Sequence, residues 1–466
     1  MTASKQQENK MMQTKPSENK MGVMPEGKLL LNMSLPMMIS MLVQAMYNIV
    51  DSIFVAHYHD DALVAVSLAF PLQTFMIAVG AGTGVGVNAL LSKALGEKNQ
   101  KRANEVAMNG IFIFILSYIL IALIGVLGVA PFYRFNTKAG QDLIMDFGIQ
   151  YLSIVMIGSF GIFMQFIFER LLQSTGRTFL TMISQSVGAI INIILDPILI
   201  FGYFGFPKMG ITGAAIATII GQICAAILAI IFNFKYNTDV QIKLKGFRPN
   251  GRIILDIYVI GIPSILMQSI GSIMVMGMNK ILNTESEVAV SVFGIYFKLQ
   301  SFFFMPVFGL NNGLIPIVAF NYGAKNKKRM LNTLKYGYII AFCFMLFGFG
   351  IFVALPDKLL MIFKANETML KIGVPALRII AVHYLVAWYC IITGSLFQAL
   401  GKAVFSLYVS LARQLVVLLP AAYILSLIGG LDLVWWSFPI AEIMSMIMST
   451  ICLRQIFKNI LNKIDA

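Results

Sequence analysis

Charge is what this 466-residue chain has least of: Asp, Glu, Lys and Arg make up 12% of it, about half the share in a soluble globular protein. Water is therefore not its main solvent. Cysteine and histidine are scarce too, with four and three copies. Cys224, Cys343, Cys390 and Cys452 fall inside apolar blocks without paired spacing. That excludes a disulfide frame or a metal cluster and leaves them as small packing residues. His57, His59 and His383 lack ligand spacing as well. There is no Gly-x-x-x-x-Gly-Lys-Ser/Thr run and hence no Walker A loop, so ATP is not expected as the energy source. No His-Glu or Ser-Lys pairing joins a nucleophile to a base, which argues against an intramembrane enzyme, and no cofactor is expected. Residues 1–28 are polar, dotted with Lys and free of any apolar run. They predict a disordered cytoplasmic tail rather than a cleavable signal peptide.

What fills the chain is apolar: 58% of the residues, with a mean hydropathy of +0.81. They come in long blocks such as Ile111–Ala130 and Ile211–Phe234, each long enough to cross a hydrocarbon core of about 30 Å. The blocks predict an all-α polytopic membrane protein. Twelve spans fall near 30–56, 63–92, 106–130, 143–173, 178–202, 211–234, 254–282, 288–320, 332–355, 369–399, 403–427 and 433–457. A net charge of +14 would suggest nucleic acid in a soluble protein. Here the basic residues sit in short segments between blocks, so the partner is the lipid bilayer and nucleic acid is not expected. Lys93, Lys98, Lys101 and Arg102 follow span two, Lys235, Lys243, Lys245, Arg248 and Arg252 follow span six, and Lys325, Lys327, Lys328, Arg329 and Lys335 follow span eight. With the N-terminal lysines and Arg454, Lys458 and Lys463 they crowd one face. The other face has Arg134, Lys138, Lys208, Lys280, Lys358, Lys364 and Lys371. The positive-inside rule then places both termini in the cytoplasm, as an even number of spans requires. The chain is expected in the cytoplasmic (inner) cell membrane, as a monomer.

The chain also repeats itself. Ser34-Leu35-Pro36 matches Gly261-Ile262-Pro263, and Val64-Ala65-Val66-Ser67 matches Val288-Ala289-Val290-Ser291. Gly82 and Gly86 match Gly309 and Gly313, and Gly96-Glu97-Lys98-Asn99 with Arg102 matches Gly323-Ala324-Lys325-Asn326 with Arg329. Gln173-Ser174-Thr175-Gly176-Arg177 matches Gln398-Ala399-Leu400-Gly401-Lys402. Five matches in one order define two halves of six spans, 29–235 and 253–460, joined by a cytoplasmic linker at 236–252. Two parallel six-helix bundles with pseudo-two-fold symmetry commonly hold a substrate site between them and alternate access by rocking. The Gly-x-x-x-Gly pairs predict close helix packing.

A charge in hydrocarbon costs about 2.5–3.5 kcal/mol even on insertion scales, so each one needs a reason. At 1.5 Å of rise per residue, Asp51 in span one lies about 9 Å below the outer surface, Asp196 in span five about 10 Å and Thr218 in span six about 12 Å. Asn192 is one turn from Asp196 on the same helix face, and Asn48 precedes Asp51 by nearly a turn. Such oxygen donors suit a hard cation such as Na⁺. Two carboxylates close together in low dielectric equally suit proton uptake. An Asp-Pro step at Asp196-Pro197 also reads as a plain helix break. The second half has Met278 and Leu419 in the corresponding places, so a coupling site belongs to the first half. Gln268, Lys298, Arg413 and Glu442 are polar residues of the second half. They read as lining a substrate cavity, Arg413 and Glu442 equally as a structural ion pair. Glu169 and Arg170 are expected to snorkel from the end of span four.

Tyr47-Asn48-Ile49-Val50-Asp51, Asn192-Ile193-Ile194-Leu195-Asp196-Pro197 and Gly210-Ile211-Thr212-Gly213-Ala214-Ala215-Ile216-Ala217-Thr218 follow Ser34-Leu35-Pro36 in an order that resembles the MATE (multidrug and toxin extrusion) transporters. Gly401, Arg413 and Trp436-Ser437 also fit, and the resemblance covers residues 28 to 458. It implies two six-helix lobes around a V-shaped cavity and export of small, often cationic organic compounds in exchange for H⁺ or Na⁺. It also implies a cation site at Asp51, Asn192, Asp196 and Thr218. Some family members use a carboxylate in spans seven, eight or ten of the second lobe; here Gln268 is the polar residue singled out in span seven, and Glu285 and Glu287 are expected in the loop before span eight. A lipid-linked saccharide flippase of the same superfamily is the alternative, and it would want a more cationic cavity than Lys298 and Arg413 provide. A major-facilitator porter would want an Asp-Arg-rich loop after span two, which Gly96–Arg102 is not.

Overall fold

The computed structural model describes residues 19–137, 140–243 and 245–463. Ten helices among the described residues are long and apolar enough to cross a membrane, and two bent pairs bring the spans to twelve. The first six are α1 (Glu26–Tyr58), α2 (Asp60–Gly96), α3 (Gln100–Leu127), α4 (Asp142–Ile157 with Phe160–Ser174), α5 (Thr178–Phe201) and α6 (Ile211–Tyr236). The second six are α7 (Gly251–Glu285), α8 (Glu287–Gly323), α9 (Lys327–Ala354), α10 (Glu367–Ala381 with Tyr384–Ala399), α11 (Ala403–Gly429) and α12 (Ser437–Asn459). The chain is an all-α polytopic membrane protein of two lobes. The bends, 41° in α4 and 47° in α10, fall at equivalent places in the two halves.

The repeated motif after α2 and after α8 is one local structure used twice. Lys98 and Lys325 both take a left-handed conformation with φ of 55°. Asn99 and Asn326 then cap the next helix, their side chains accepting from Arg102 N and Arg329 N at 3.0 and 3.1 Å. A side-chain oxygen at the N-cap satisfies one of the four orphan N–H groups of a helix start.

The two lobes are joined where small residues permit it. A Cβ on Gly86 of α2 would stand 2.3 Å from Ile257 O of α7, and one on Gly313 of α8 would stand 2.3 Å from Ser34 Oγ of α1. Gly96 and Gly323 bring the ends of α2 and α8 together, against Phe320 O and Lys93 O. Ser34 Oγ donates to Leu310 O at 3.2 Å. These closest approaches lie in the helix halves next to the face at which α1 starts and α12 ends. The cores confirm the crossover: Leu29, Leu30 and Met33 of α1 are buried with α8–α12, while Ile253 and Ile257 of α7 are buried with α2–α6. The division of packing therefore differs from the sequence boundaries at 29 and 253, because α1 and α7 each begin in the opposite lobe.

The expected tail at 1–28 needs correction where it is described; Lys5, Lys10 and Lys15 lie outside the described residues. Residues Lys20–Val23 form a short helix with Met21 fully buried, and α1 starts at Glu26. Asn19 Nδ2 donates to Thr175 O at 3.3 Å. Arg329 Nη2 donates to Met21 O at 3.2 Å and Met24 O at 2.6 Å. This segment bridges the α4–α5 turn of one lobe and α9 of the other. Burial and the nearby Arg177 guanidinium hold the Lys20 ammonium below the ordinary lysine range. The linker is likewise pinned: Arg177 pairs with Asp239, and Asn250 N donates to Asn109 Oδ1 at 2.8 Å.

Candidate cation site and cavity

Glycine and alanine decide how α6 lies on α5. A Cβ on Gly213 would stand 2.6 Å from Leu199 O, and one on Gly221 would stand 2.6 Å from Gly188 O. With nothing between the backbones, Thr218 of α6 comes against Asn192 of α5. Asn192 Nδ2 donates to Thr218 Oγ1 at 3.3 Å and to Asp196 Oδ1 at 3.4 Å, and Thr218 Oγ1 donates to Ala214 O at 3.0 Å. Asp196 is 0% exposed, Asn192 3% and Thr218 9%. The helix runs through Pro197 to Phe201, so the Asp-Pro step does not break it.

Asp51 completes the arrangement from α1. Its carboxyl group and that of Asp196 lie within hydrogen-bond reach of each other. Asp51 Oδ1, Asn192 Oδ1 and Asp196 Oδ2 are buried without a hydrogen-bond partner among the described residues. These oxygens and the Thr218 hydroxyl form the kind of set that holds a small hard cation. Asn48 lines the same space but bonds none of the four.

Beside this cluster is a cavity of about 500 Å³, within the range of pockets for drug-sized molecules. Among the described residues its walls come from 40–222, and they include Ser40, Gln44, Tyr47, Gln73, Tyr151, Gln165 and Gln185. Sequence reasoning missed Gln73 and Tyr151, which join through Gln73 Nε2 and Tyr151 OH at 3.1 Å. Neither is charged, so depth counting gave no signal for them.

Similarity to known proteins now fits what the geometry describes. The MatE family model matches residues 36–198 and again 262–424, once per lobe and over most of the chain. The chain belongs to the MatE family. It is 27% identical over 429 residues to the multidrug export protein MepA of Staphylococcus aureus (strain MRSA252), covering 90% of this chain and 91% of that protein. The MepA protein of Staphylococcus haemolyticus (strain JCSC1435) is 27% identical over 418 residues, covering 89% and 90%. Among solved structures, an outward-facing multidrug resistance MATE family transporter of the MOP superfamily superposes with a TM-score of 0.90 at 26% identity, covering 97% of this chain and all of that one. A MOP superfamily transporter from Pyrococcus furiosus gives 0.89 at 25%, with the same coverage. This MatE protein is a membrane-embedded multidrug efflux transporter and not an enzyme.

The second-lobe residues divide. Arg413 Nη1 meets Glu442 Oε2 at 3.0 Å. Lys298 does not join them: its ammonium stands 6.0 Å from the Phe363 ring centroid. Gln268 turns back to Ser264 O in its own helix at 3.4 Å. Glu169 and Arg170 correct the expectation of snorkelling, since both are buried. Glu169 accepts from Gln165 at 3.0 Å, Ser184 at 3.0 Å and Gln185 at 2.6 Å. Arg170 Nη1 reaches Gln173 and, across the lobes, Asn312 Oδ1 at 3.0 Å. The side chains stay inside because neutral donors and acceptors are arranged for them there.

Proposed function

We propose that this MatE protein is a secondary antiporter, exporting drug-like and chiefly cationic organic compounds in exchange for H⁺ or Na⁺, with both termini in the cytoplasm. The observation that carries this reading is the meeting of the Asp51 and Asp196 carboxyl groups inside an apolar bundle. Two carboxylates in contact at low dielectric repel strongly unless a proton or metal cation lies with them. Asn192 and Thr218 supply further oxygen for either ion. The cavity next to the pair gives an organic compound a place whose occupancy the ion can oppose. Contact between the lobes near the terminal face, with that face cytoplasmic, corresponds to an outward-open state. Rocking about the glycine contacts of α1, α2, α7 and α8 would reverse it.

The test is ethidium efflux from proteoliposomes under an imposed proton or sodium gradient. Asp51→Asn and Asp196→Asn should each abolish gradient-driven efflux while abundance and thermal stability are retained. The gradient that drives the unsubstituted chain names the ion. Full efflux in the double variant would remove the mechanism.

A further inference from the structure

The segment at 19–24 and the α4–α5 turn border a second pocket, of about 480 Å³. It sits where α1 and α5 begin, at one edge of the spanning helices. Asn19, Lys20, Asn32, Arg177 and Phe179 are among its walls. Gly176 lets the segment approach, since it turns at φ of 86° and a Cβ on it would stand 3.0 Å from Lys20 Cε. The lysine stem thus crosses the turn, and its ammonium comes near the Arg177 guanidinium. The equivalent turn of the second lobe, Gly401-Lys402, has no such cover: a Cβ on Gly401 would meet only Ile260 Cδ1, at 3.8 Å, and Lys402 is exposed.

Two cations line this pocket with one carboxylate, Asp239, and Asp239 pairs with Arg177. Lys20 Nζ donates to the neutral Asn32 Oδ1 at 2.6 Å. No carboxylate among the described residues pairs with it. An ammonium has three donors, so one hydrogen bond to an amide leaves its charge uncompensated. Burial and the guanidinium already disfavour that charge, and an anion in the pocket would offset both. The ground beside the pocket is apolar. Lys28, Asn32, Leu35 and Ile39 follow at three- and four-residue steps, so they share one face of α1, and all four are exposed. Leu29, Leu30, Met33 and Met37 are buried, and the cavity residues Ser40, Gln44 and Tyr47 lie on another side. The stripe therefore looks to lipid, as does Phe179, which is 57% exposed.

We propose that this pocket binds the phosphate headgroup of an anionic phospholipid, with Lys20 Nζ donating to a phosphate oxygen and the acyl chains lying along Leu35 and Ile39. Basic pockets between helices at the membrane edge are suited to such headgroups. The exposed apolar stripe that leads away from the pocket favours a lipid over a free phosphate. The site is separate from the carboxyl pair and its cavity and does not depend on what the chain exports.

The experiment uses the purified full chain in detergent and counts bound lipid by native mass spectrometry, with dioleoylphosphatidylglycerol and dioleoylphosphatidylcholine as paired probes. The unsubstituted chain should bind its first phosphatidylglycerol about fivefold more tightly than its first phosphatidylcholine, the scale of one cation at an anionic membrane surface. Lys20→Gln should bring the two lipids level by weakening phosphatidylglycerol alone. Lys402→Gln, at the equivalent turn, should keep the preference. Asn32→Asp gives the ammonium a carboxylate of its own and should abolish the preference with the lysine in place; it decides alone should Lys20→Gln not fold. Inorganic phosphate at millimolar concentration should leave the bound phosphatidylglycerol where it is. Equal first binding of the two lipids by the unsubstituted chain, equal losses in Lys20→Gln and Lys402→Gln, a full preference in Asn32→Asp, or displacement by inorganic phosphate would each overturn the proposal.

Discussion

Asp196 and Glu169 are both carboxyl groups in apolar helices, and burial has a different consequence for each. Glu169 is surrounded by three neutral donors from α4 and α5, whereas Asp196 has one oxygen without a partner and another carboxyl group beside it. The first is a satisfied structural group and the second is suited to an exchanging ion. Replacing Glu169 with Leu would leave the Gln165 and Gln185 side-chain amides without that acceptor, at a cost of about 1–3 kcal/mol, while Ser184 Oγ still donates to Thr181 O. Glu169→Gln keeps one acceptor oxygen and should lose less. Thermal unfolding in detergent checks the order, and equal melting temperatures for the two variants would contradict it. The distinction between these carboxyls could not be read from the chain, because the donors around Glu169 come partly from another helix.

At the scale of the element, the glycine and alanine run that opens α6 acts through distance. Gly213 and Gly221 let α6 touch the α5 backbone, and that contact sets Thr218 beside Asn192. Gly221→Leu would meet Gly188 O and the Asn192 side chain, forcing the helices apart. It should lower the melting temperature and abolish efflux even though no ligand oxygen is removed. Gly350→Ala is the control: a Cβ there meets nothing within 4 Å, so efflux and stability should be unchanged. Full efflux by Gly221→Leu would show that the spacing is unimportant. The spans themselves were legible in advance, since long apolar blocks leave a helix few alternatives in lipid. The bends in α4 and α10 were not, because both fall at breaks without proline, Gly158-Ser159 and Val382-His383.

For the whole molecule, the lobes are clasped at one face by α1 crossing α8, α2 crossing α7 and the segment at 19–24. Arg329, Asn321 and Thr175 hold that segment through its backbone carbonyls and Asn19. Removing residues 1–24 takes away contacts to both lobes and leaves the membrane helices whole. We expect the truncated chain to melt lower and to open the clasped face more often. The rate of thiol labelling at Asn312→Cys, which faces Arg170 across the lobes, reports that opening. Unchanged labelling together with unchanged melting would mean that the segment is only a passenger.

The sequence by itself determined the solvent, the spans and the duplication, and predicted similar depths for Asp51, Asn192, Asp196 and Thr218. These follow from composition, from matched motifs and from the fixed rise of a helix. Only the tertiary structure decided which side chains at equal depth touch. Depth is one coordinate, and the rotation of each helix and the spacing of its neighbours supply the others. That is why Arg413 found Glu442 while Lys298 went to Phe363, and why the tail residues Asn19–Met24 became part of the clasp between the lobes.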